Sequence, residues 1–562
     1  MENPSSNTYL VFDIGGTWIK ATRIIDDTFS ETFKAPSGLK PGSSPDDLVT
    51  TLLDLAQKTQ TTSPAAIAIA TAGVVNDHGT AVGHCSPHLA ALRDPCWIAQ
   101  IESHFDCPVT LINDADAALI GAAEKGYLQG SQTIGLLVIG TGLGFSVWRN
   151  GRRWRPGWSY ILLGITSIGS TSFDDSVSAS LLAALSPKND LVEVLTSDEF
   201  TEARNDYFFR LAAAVQTAAT LYSLDEVALS GGLIDACTTA SCDLEKEIRR
   251  HLGPSAPSLR VLHEGNALQQ IGAHALAKAE AIAESARFTG DHRQLPTEQA
   301  HDPDLQLESL SAHELVTTFL QAEQEAGSAL TESTAAIASA AEKIAAKLRA
   351  GGRLIYVGCG TSGRLASLDA LELPCTYGLD PDRALCLIAG GIADAAIDIE
   401  HRSEEDASAS PELLLLKLAE NDVLIGISAS ASAHYVRSAL AVAKSKNALT
   451  YLISAEDPRE DFYHHHLALH SGPEVVSGST RMKAGTATKK ILNTLSSTAM
   501  ILLGKVRGTH MIDLACLNDK LIHRATGILE DHFALSSARA LQLLKKHHYQ
   551  LLDAIADLEK RR

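Results

Sequence analysis

Four glycine-rich turns in this chain each follow an apolar run, a pattern by which backbone amides approach a phosphate. In Arg353-Leu-Ile-Tyr-Val-Gly-Cys-Gly-Thr-Ser-Gly-Arg364 a buried strand ends in Gly358 and Gly360, and Thr361 and Ser362 open a helix. Glycine permits the tight turn, while hydroxyls and unpaired helix N–H groups can hold an anion. A strand–helix turn with no ligand fits that segment equally well when it is taken alone. The other three turns lie in the N-terminal half: Asp13-Ile-Gly-Gly-Thr17, Ile139-Gly-Thr-Gly-Leu-Gly144 and Leu229-Ser-Gly-Gly-Leu233.

The elements that must position these turns fall into two sets. Strand-like runs at Tyr9–Ile14, Ile134–Gly144 and Glu226–Gly232 and helical periodicity over Leu268–Ser285 make a first domain, residues 1–285. Residues 286–296 are polar, carry Gly and Pro and lack periodicity, so they read as a linker. Beyond it come Ala-rich helices over about 311–350, then strands at 353–357, 422–427 and 449–454 alternating with helical segments. That βα alternation implies a parallel, doubly wound sheet over 297–515. Residues 516–562 read as a helical C-terminal segment. The two halves show no mutual repeat, so the chain reads as a fusion of unlike domains.

With 562 residues, more than one hydrophobic core is expected. The balance of 47 basic against 67 acidic residues, net −20, argues against nucleic-acid and anionic-membrane binding. An anionic substrate must therefore be held by local loop amides rather than by a global field. The nine cysteines are scattered with no paired C-x-x-C units, so reduced thiols and no zinc site are expected. No run of 18 apolar residues and no apolar leader occurs, and a cytoplasmic location is expected.

Block by block, the C-terminal half resembles the N-acetylmuramic acid 6-phosphate etherases, which have a sugar-isomerase (SIS) domain. The matching segments are Leu295-Pro-Thr-Glu, GCGTSGRLASLDALELP, LIAGG ending at Gly391, GSTRMKAGTATKKILNTLS from Gly478 and GKVRGTHMIDL from Gly504. The glucokinase regulatory protein shares this framework, so the motifs define fold and ligand class better than reaction. The resemblance implies a phosphate site from Gly360, Thr361, Ser362, Gly363, Arg364, Ser430, Ser479, Thr480 and Lys483. It also implies a homodimer through the SIS domain. A phosphorylated amino sugar would lose D-lactate from C3 after a base removes the C2 proton, and water would then add. No cofactor is required. Glu372 stands where the family has its acid/base glutamate, and that role favours a carboxyl whose pKa burial has raised. The second family glutamate falls at Ser403 without a gap, or at Glu404 with a one-residue slip. Where the family has A-S-G-R-T this chain has Ala429-Ser-Ala-Ser-Ala433, so a glycine and an arginine are replaced.

The N-terminal half resembles the ROK and related sugar-kinase ATPases, implying a ribonuclease-H-like, actin/hexokinase-type fold. The resemblance assigns Asp13, Gly15, Gly16, Thr17, Thr141, Gly142, Gly231 and Gly232 to ATP, with Mg²⁺ organised through Asp13. In Leu111-Ile-Asn-Asp-Ala-Asp-Ala117 it makes Asp114 the base that accepts the sugar hydroxyl proton. The E-x-G-H sugar element and cysteine-rich zinc motif of ROK kinases are missing from Gly157–Gly169, so the sugar stays open and structural zinc is not expected. Two readings follow: a cell-wall amino-sugar salvage enzyme with kinase and etherase activities, or a kinase with a phosphosugar-sensing SIS domain. His464-His-His466 reads as a solvated loop rather than a metal site.

Overall fold

In the computed structural model, residues 8–560 are described apart from 76–78, 80–81, 86, 129–132, 150–151, 155–166, 169–170, 255, 391–407, 456, 515 and 517. The chain forms two compact units, Met1–Ser285 with Ser410–Lys417, and Ala286–Ala409 with Leu418–Arg562.

The first unit is built on two five-stranded sheets with one shared plan. Strands β1 (Thr8–Ile14), β2 (Trp18–Ile25) and β3 (Thr28–Pro36) run antiparallel, and β4 (Ala66–Thr71) and β5 (Val109–Asn113) continue the sheet parallel to β1. The second sheet repeats this with β6 (Ile134–Ile139), β7 (Leu143–Arg149) and β8 (Arg152–Trp154) antiparallel. Its β9 (Glu226–Ser230) and β10 (Ser258–Val261) lie parallel to β6. The orders are β3-β2-β1-β4-β5 and β8-β7-β6-β9-β10. This doubled lobe is the ribonuclease-H-like fold.

Strands β1, β4 and β6 are buried along almost their whole length, which explains their unbroken apolar sequences. Helix α1 (Asp114–Glu124) starts where Asn113 caps it, its side chain accepting from the Ala115 and Asp116 amides. Helix α2 (Gly232–Thr239) follows the third glycine turn, and α3 (Ala267–Ser285) packs on α1. Glycine sets that contact: a Cβ on Gly121 would lie 2.0 Å from the Leu268 carbonyl oxygen, and one on Gly272 1.8 Å from that of Ala117. Either substitution would force the helices apart and move the start of α1.

In the second unit, α4 (Ala312–Ala329) begins at a Ser311–Glu314 capping box, and α5 (Thr334–Arg349) leads into β11 (Leu354–Gly358). After β11 come α6 (Gly360–Tyr377), β12 (Ala384–Ile388), β13 (Val423–Ile427), α7 (His434–Ser445), β14 (Leu449–Ser454) and β15 (His465–Ala468). All five strands are parallel, in the order β12-β11-β13-β14-β15. This is the doubly wound SIS sheet. Helix α8 (Lys483–Leu502) packs against α5 and α6. The tail forms α9 (Asp519–Phe533), α10 (Ser537–Lys546) and α11 (Leu551–Lys560), which share a separate small core of Ile512, Leu529, Leu544, Leu551 and Ile555.

The histidine run departs from the expected solvated loop. His465 and His466 begin edge strand β15, and the His464 and His466 rings hydrogen-bond the Thr450 and Ser454 hydroxyls. Burial lowers the pKa of all three imidazoles. The run therefore serves the sheet edge.

Candidate functional site

The doubly wound sheet reverses direction between β11 and β13, because β12 leaves β11 on one side and β13 joins it on the other. Ligands of such sheets bind at this switch point, beyond the carboxyl ends of the strands. Here Gly358 of β11 pairs in register with Ile427 of β13, so Cys359–Gly363 and Ser428–Ala433 leave the sheet side by side. Gly358 and Gly363 hold the first loop tight: a Cβ on Gly358 would lie 2.7 Å from the Gly363 nitrogen. Gly360 has φ +48°, and Thr361, Ser362 and half-buried Arg364 follow on the first turns of α6. The third segment closes in from α8, where the Cβ position of Gly485 lies 3.5 Å from the Thr480 carbonyl oxygen and 3.9 Å from Thr361 Cγ2. The Gly478 amide bonds the Thr297 carbonyl, which ties the Leu295–Glu298 entry segment to the Ser479–Thr480 turn. Segments far apart in sequence thus surround one crevice.

Lys483 is buried at the start of α8, and its amide and that of Ala484 donate to the two carboxylate oxygens of Glu474 at 3.0 and 2.9 Å. An internal carboxylate therefore occupies this helix N-terminus, leaving the Ser479 and Thr480 hydroxyls as the half-buried polar groups of the turn. Sequence reading missed Glu474. It also missed Asp369, buried on α6, which accepts from the Tyr356 hydroxyl at 2.8 Å and the Ser496 hydroxyl at 3.2 Å. Desolvation raises the Asp369 pKa, and Glu372 one turn on adds to the rise. The only sequence signal for either residue was an acid inside an otherwise apolar or small-residue stretch.

The altered loop keeps a glycine-like shape. Ala431 has φ +58°, the left-handed region, and its carbonyl accepts from the fully buried Arg437 guanidinium at 2.9 Å. Arg437 is clasped between the Phe288 and Phe462 rings, also bonds the Ala286 carbonyl and pairs with Glu460. The Ser430 and Ser432 hydroxyls lie 2.7 Å apart beside it. Ala431→Gly should therefore raise stability by up to about 1 kcal/mol, whereas Ala441→Gly inside α7 should lower it by about 1 kcal/mol. Urea unfolding of both variants checks the opposite signs, and a destabilised Ala431→Gly would contradict the clamp.

Glu372 sits apart from these loops. Twelve residues after Gly360 on one continuous helix place it about 18 Å along the α6 axis. Instead of being buried, it is exposed in the single chain, on a face shared with Leu368 and Leu371, which are 46% and 65% exposed. Ser403, Glu404 and Glu405 lie outside the described residues, as does most of Gly157–Gly169.

The four motifs of the first unit also converge. A Cβ on Gly16 would lie 3.4 Å from Thr141 Cγ2, so the first two glycine turns face each other. A Cβ on Gly144 would lie 3.6 Å from Asp114 Oδ1, which sets the second loop beside the first residue of α1. Gly231, with φ +102°, packs on Ile139, and the Ser230 hydroxyl bonds the Gly265 carbonyl. Gly15 bonds the Trp18 carbonyl through its amide, and Thr17 and Gly142 border the same turns. Asp13 is 8% exposed and pairs with Lys20. Asp235 on α2, not foreseen, accepts from the Asn266 backbone and side-chain amides at 3.3 and 2.9 Å. Among the described residues, no group of three or more His, Cys, Asp or Glu is placed to hold a metal ion.

Fold and motifs define the chain as a two-lobed ROK-type sugar-kinase domain fused to a SIS domain. The ROK family model matches residues 9–157, and the glucokinase regulatory protein N-terminal SIS domain model matches residues 336–444. An N-acetylmuramic acid 6-phosphate etherase of Prochlorococcus marinus is 42% identical over 257 residues, 45% of this chain and 83% of that protein. One from Lactobacillus gasseri is 40% identical over 45% of this chain and 86% of that protein. The solved structure of a ROK family glucokinase from Streptomyces griseus, with glucose and AMPPNP, covers 48% of this chain and 99% of its own at 21% identity, TM-score 0.41. The chain belongs to the N-acetylmuramic acid 6-phosphate etherase family. No described helix is long and apolar enough to cross a membrane.

Proposed function

We propose that the chain phosphorylates an N-acetylated hexosamine at C6 and cleaves the D-lactyl ether of N-acetylmuramic acid 6-phosphate, giving N-acetylglucosamine 6-phosphate and D-lactate. The observation that carries the lyase reading is the meeting of the Cys359–Gly363, Ser428–Ala433 and Gly478–Gly485 segments at the switch point, in a chain of this family. Thr361, Ser362, Ser430, Ser479 and Thr480 hold the 6-phosphate, with Gly360 and Gly363 giving the backbone its approach and Arg364 adding charge. Lys483 contributes through the buried start of α8. Glu372 removes the C2 proton of the ring-opened sugar, lactate leaves from C3, and Glu372 or Glu404 directs water onto the double bond.

A single subunit cannot assemble this site. With bonds of about 1.5 Å, one hexose 6-phosphate cannot bridge the roughly 18 Å from the α6 N-terminus to Glu372. Glu372 of one subunit therefore serves the phosphate loop of a second, and Leu368 and Leu371 beside it belong to the covered face of a homodimer.

In the kinase lobes Asp114 takes the proton of the C6 hydroxyl as that oxygen attacks the γ-phosphorus of ATP. Gly15, Gly16, Thr17, Thr141 and Gly142 cradle the phosphates, and Gly231 and Gly232 border the nucleoside. The carboxylate of Asp13 has the hard oxygens that suit Mg²⁺, which neutralises phosphate charge when bound with the nucleotide. Both reactions are placed in the cytoplasm, where ATP is supplied.

The two activities join if the kinase accepts N-acetylmuramic acid. Purified chain given that sugar and ATP should then release lactate, and omission of ATP should abolish release. Phosphorylation without lactate would favour the second reading, a phosphosugar sensor, which the replaced glycine and arginine at Ala431 and Ser432 support.

A further inference from the structure

Helix α2 ends in a cap that sets two cysteines against each other. Ala240 closes the helix, and Ser241 takes the left-handed conformation at φ +52°. The Ser241 amide then donates to the Thr238 carbonyl at 3.2 Å, and the Cys242 amide to the Cys237 carbonyl at 2.8 Å. This is the Schellman arrangement, which folds the side chain after the left-handed residue back onto the last turn of the helix. That contact is commonly apolar. Here it joins two thiols. Cys237 is 3% exposed within the apolar core, and half-buried Cys242 packs on the same core. The Cys237 S–H donates to the Cys242 sulfur.

The two sulfurs are unequal. The hydrogen bond from Cys237 lowers the Cys242 pKa, with the Arg204 charge helping, against burial and the Glu247 and Asp243 carboxylates. The same bond, with burial, pushes the Cys237 thiol up. Elsewhere burial keeps Cys107 a thiol, its pKa pushed up to about 12, and a hydrogen bond to Asp94 raises that of exposed Cys96. The thiolate is the form that attacks an oxidant.

We propose that Cys237 and Cys242 are a peroxide-responsive dithiol, which a small hydroperoxide closes into a disulfide with Cys242 as the attacking sulfur and Cys237 as the resolving one. The Cys242 thiolate attacks one peroxide oxygen, the O–O bond breaks, and hydroxide leaves while Cys242 becomes a sulfenic acid. The Cys237 sulfur then attacks the Cys242 sulfur, its proton departs with the hydroxyl as water, and the S–S bond forms. The two thiols lose two electrons and two protons, and one hydrogen peroxide becomes two waters. Sulfurs already in hydrogen-bond contact need only small side-chain rotations to reach an S–S distance of about 2.0 Å. The bridge shields Cys242 from irreversible oxidation to the sulfinic acid. It forms at the far end of the helix that opens at Gly231 and Gly232, and depends on neither reaction proposed above.

The test treats the reduced full chain with hydrogen peroxide, blocks the remaining thiols with iodoacetamide and maps peptides by mass spectrometry. The peptide holding both residues should lose two hydrogens and escape alkylation, and dithiothreitol should restore it. This should occur about tenfold faster than oxidation of exposed Cys96 and Cys375. Cys237→Ser keeps a hydrogen-bond donor but cannot resolve, so Cys242 should persist as a sulfenic acid that dimedone labels. Cys242→Ser should leave Cys237 reduced. Unchanged thermal melting shows that the variants fold; should Cys237→Ser fail to, the wild-type map and Cys242→Ser still decide. Oxidation of Cys96 or Cys375 ahead of the pair overturns the proposal, as does wild-type Cys242 driven to sulfinic acid with no disulfide formed. A Cys242→Ser protein that loses the Cys237 thiol at the wild-type rate overturns it too.

Discussion

Glu372→Gln should lower lactate release by about 10²–10⁴-fold and leave binding of the sugar 6-phosphate nearly unchanged. The amide has the size of the carboxylate but cannot take the C2 proton. Glu372 is exposed on α6, about 18 Å along the helix from the Gly360 turn, so the variant should fold and bind as wild type does. The distance along α6 sharpens the test. If Glu372 acts on substrate held by a second subunit, mixing Glu372→Gln with a phosphate-loop variant, Ser362→Ala with Ser479→Ala, restores one working site in each mixed dimer. Random mixing should return about a quarter of wild-type activity. If each chain held a complete site, no mixture would recover anything. Lactate assays on the refolded or co-expressed mixture read the outcome.

Asp114→Asn should reduce sugar-dependent ATP consumption by a comparable 10²–10⁴-fold, because the amide cannot accept the hydroxyl proton. Asn113 caps α1 from the preceding position, and the α1–α3 contact at Gly121 and Gly272 lies further along the helix, so the start of α1 should not shift. Lactate release from ready-made N-acetylmuramic acid 6-phosphate should be unaffected. Release from the unphosphorylated sugar plus ATP should fall with the kinase rate. Loss of both activities in Asp114→Asn would mean a damaged fold, which a melting curve separates from a missing base.

Much of this architecture is visible in the sequence because its strands are buried on both faces. Tyr9–Ile14, Glu226–Ser230 and Leu449–Ser454 are apolar runs that stop at glycine, serine or threonine, and each becomes a central strand. The glycine turns are visible for the same reason, since backbone contact at Gly358 and Gly363 leaves no room for a side chain. What depends on register or on packing across long sequence separations is not visible. The twin sheets of the first unit share a plan but no sequence pattern that reveals it. Lys20 becomes a neighbour of Asp13 only through the β1–β2 register, and Glu474 caps α8 only because its loop folds back. The left-handed Ala431 reads as a broken motif until Arg437 is seen holding its carbonyl. Glu372 was legible as a residue but not as a position: its sequence spacing hides that one helix carries it far from the loop that precedes it.

Loss of the C2 proton is the step on which the proposed lactate elimination depends. The most direct measurement incubates wild-type protein with N-acetylmuramic acid 6-phosphate in deuterated water and follows lactate and product by mass spectrometry and proton NMR. Stoichiometric D-lactate and N-acetylglucosamine 6-phosphate carrying one solvent deuterium at C2 are expected. Lactate formed with the C2 proton retained, or tight binding of the phosphosugar with no lactate at all, would contradict the proposed elimination.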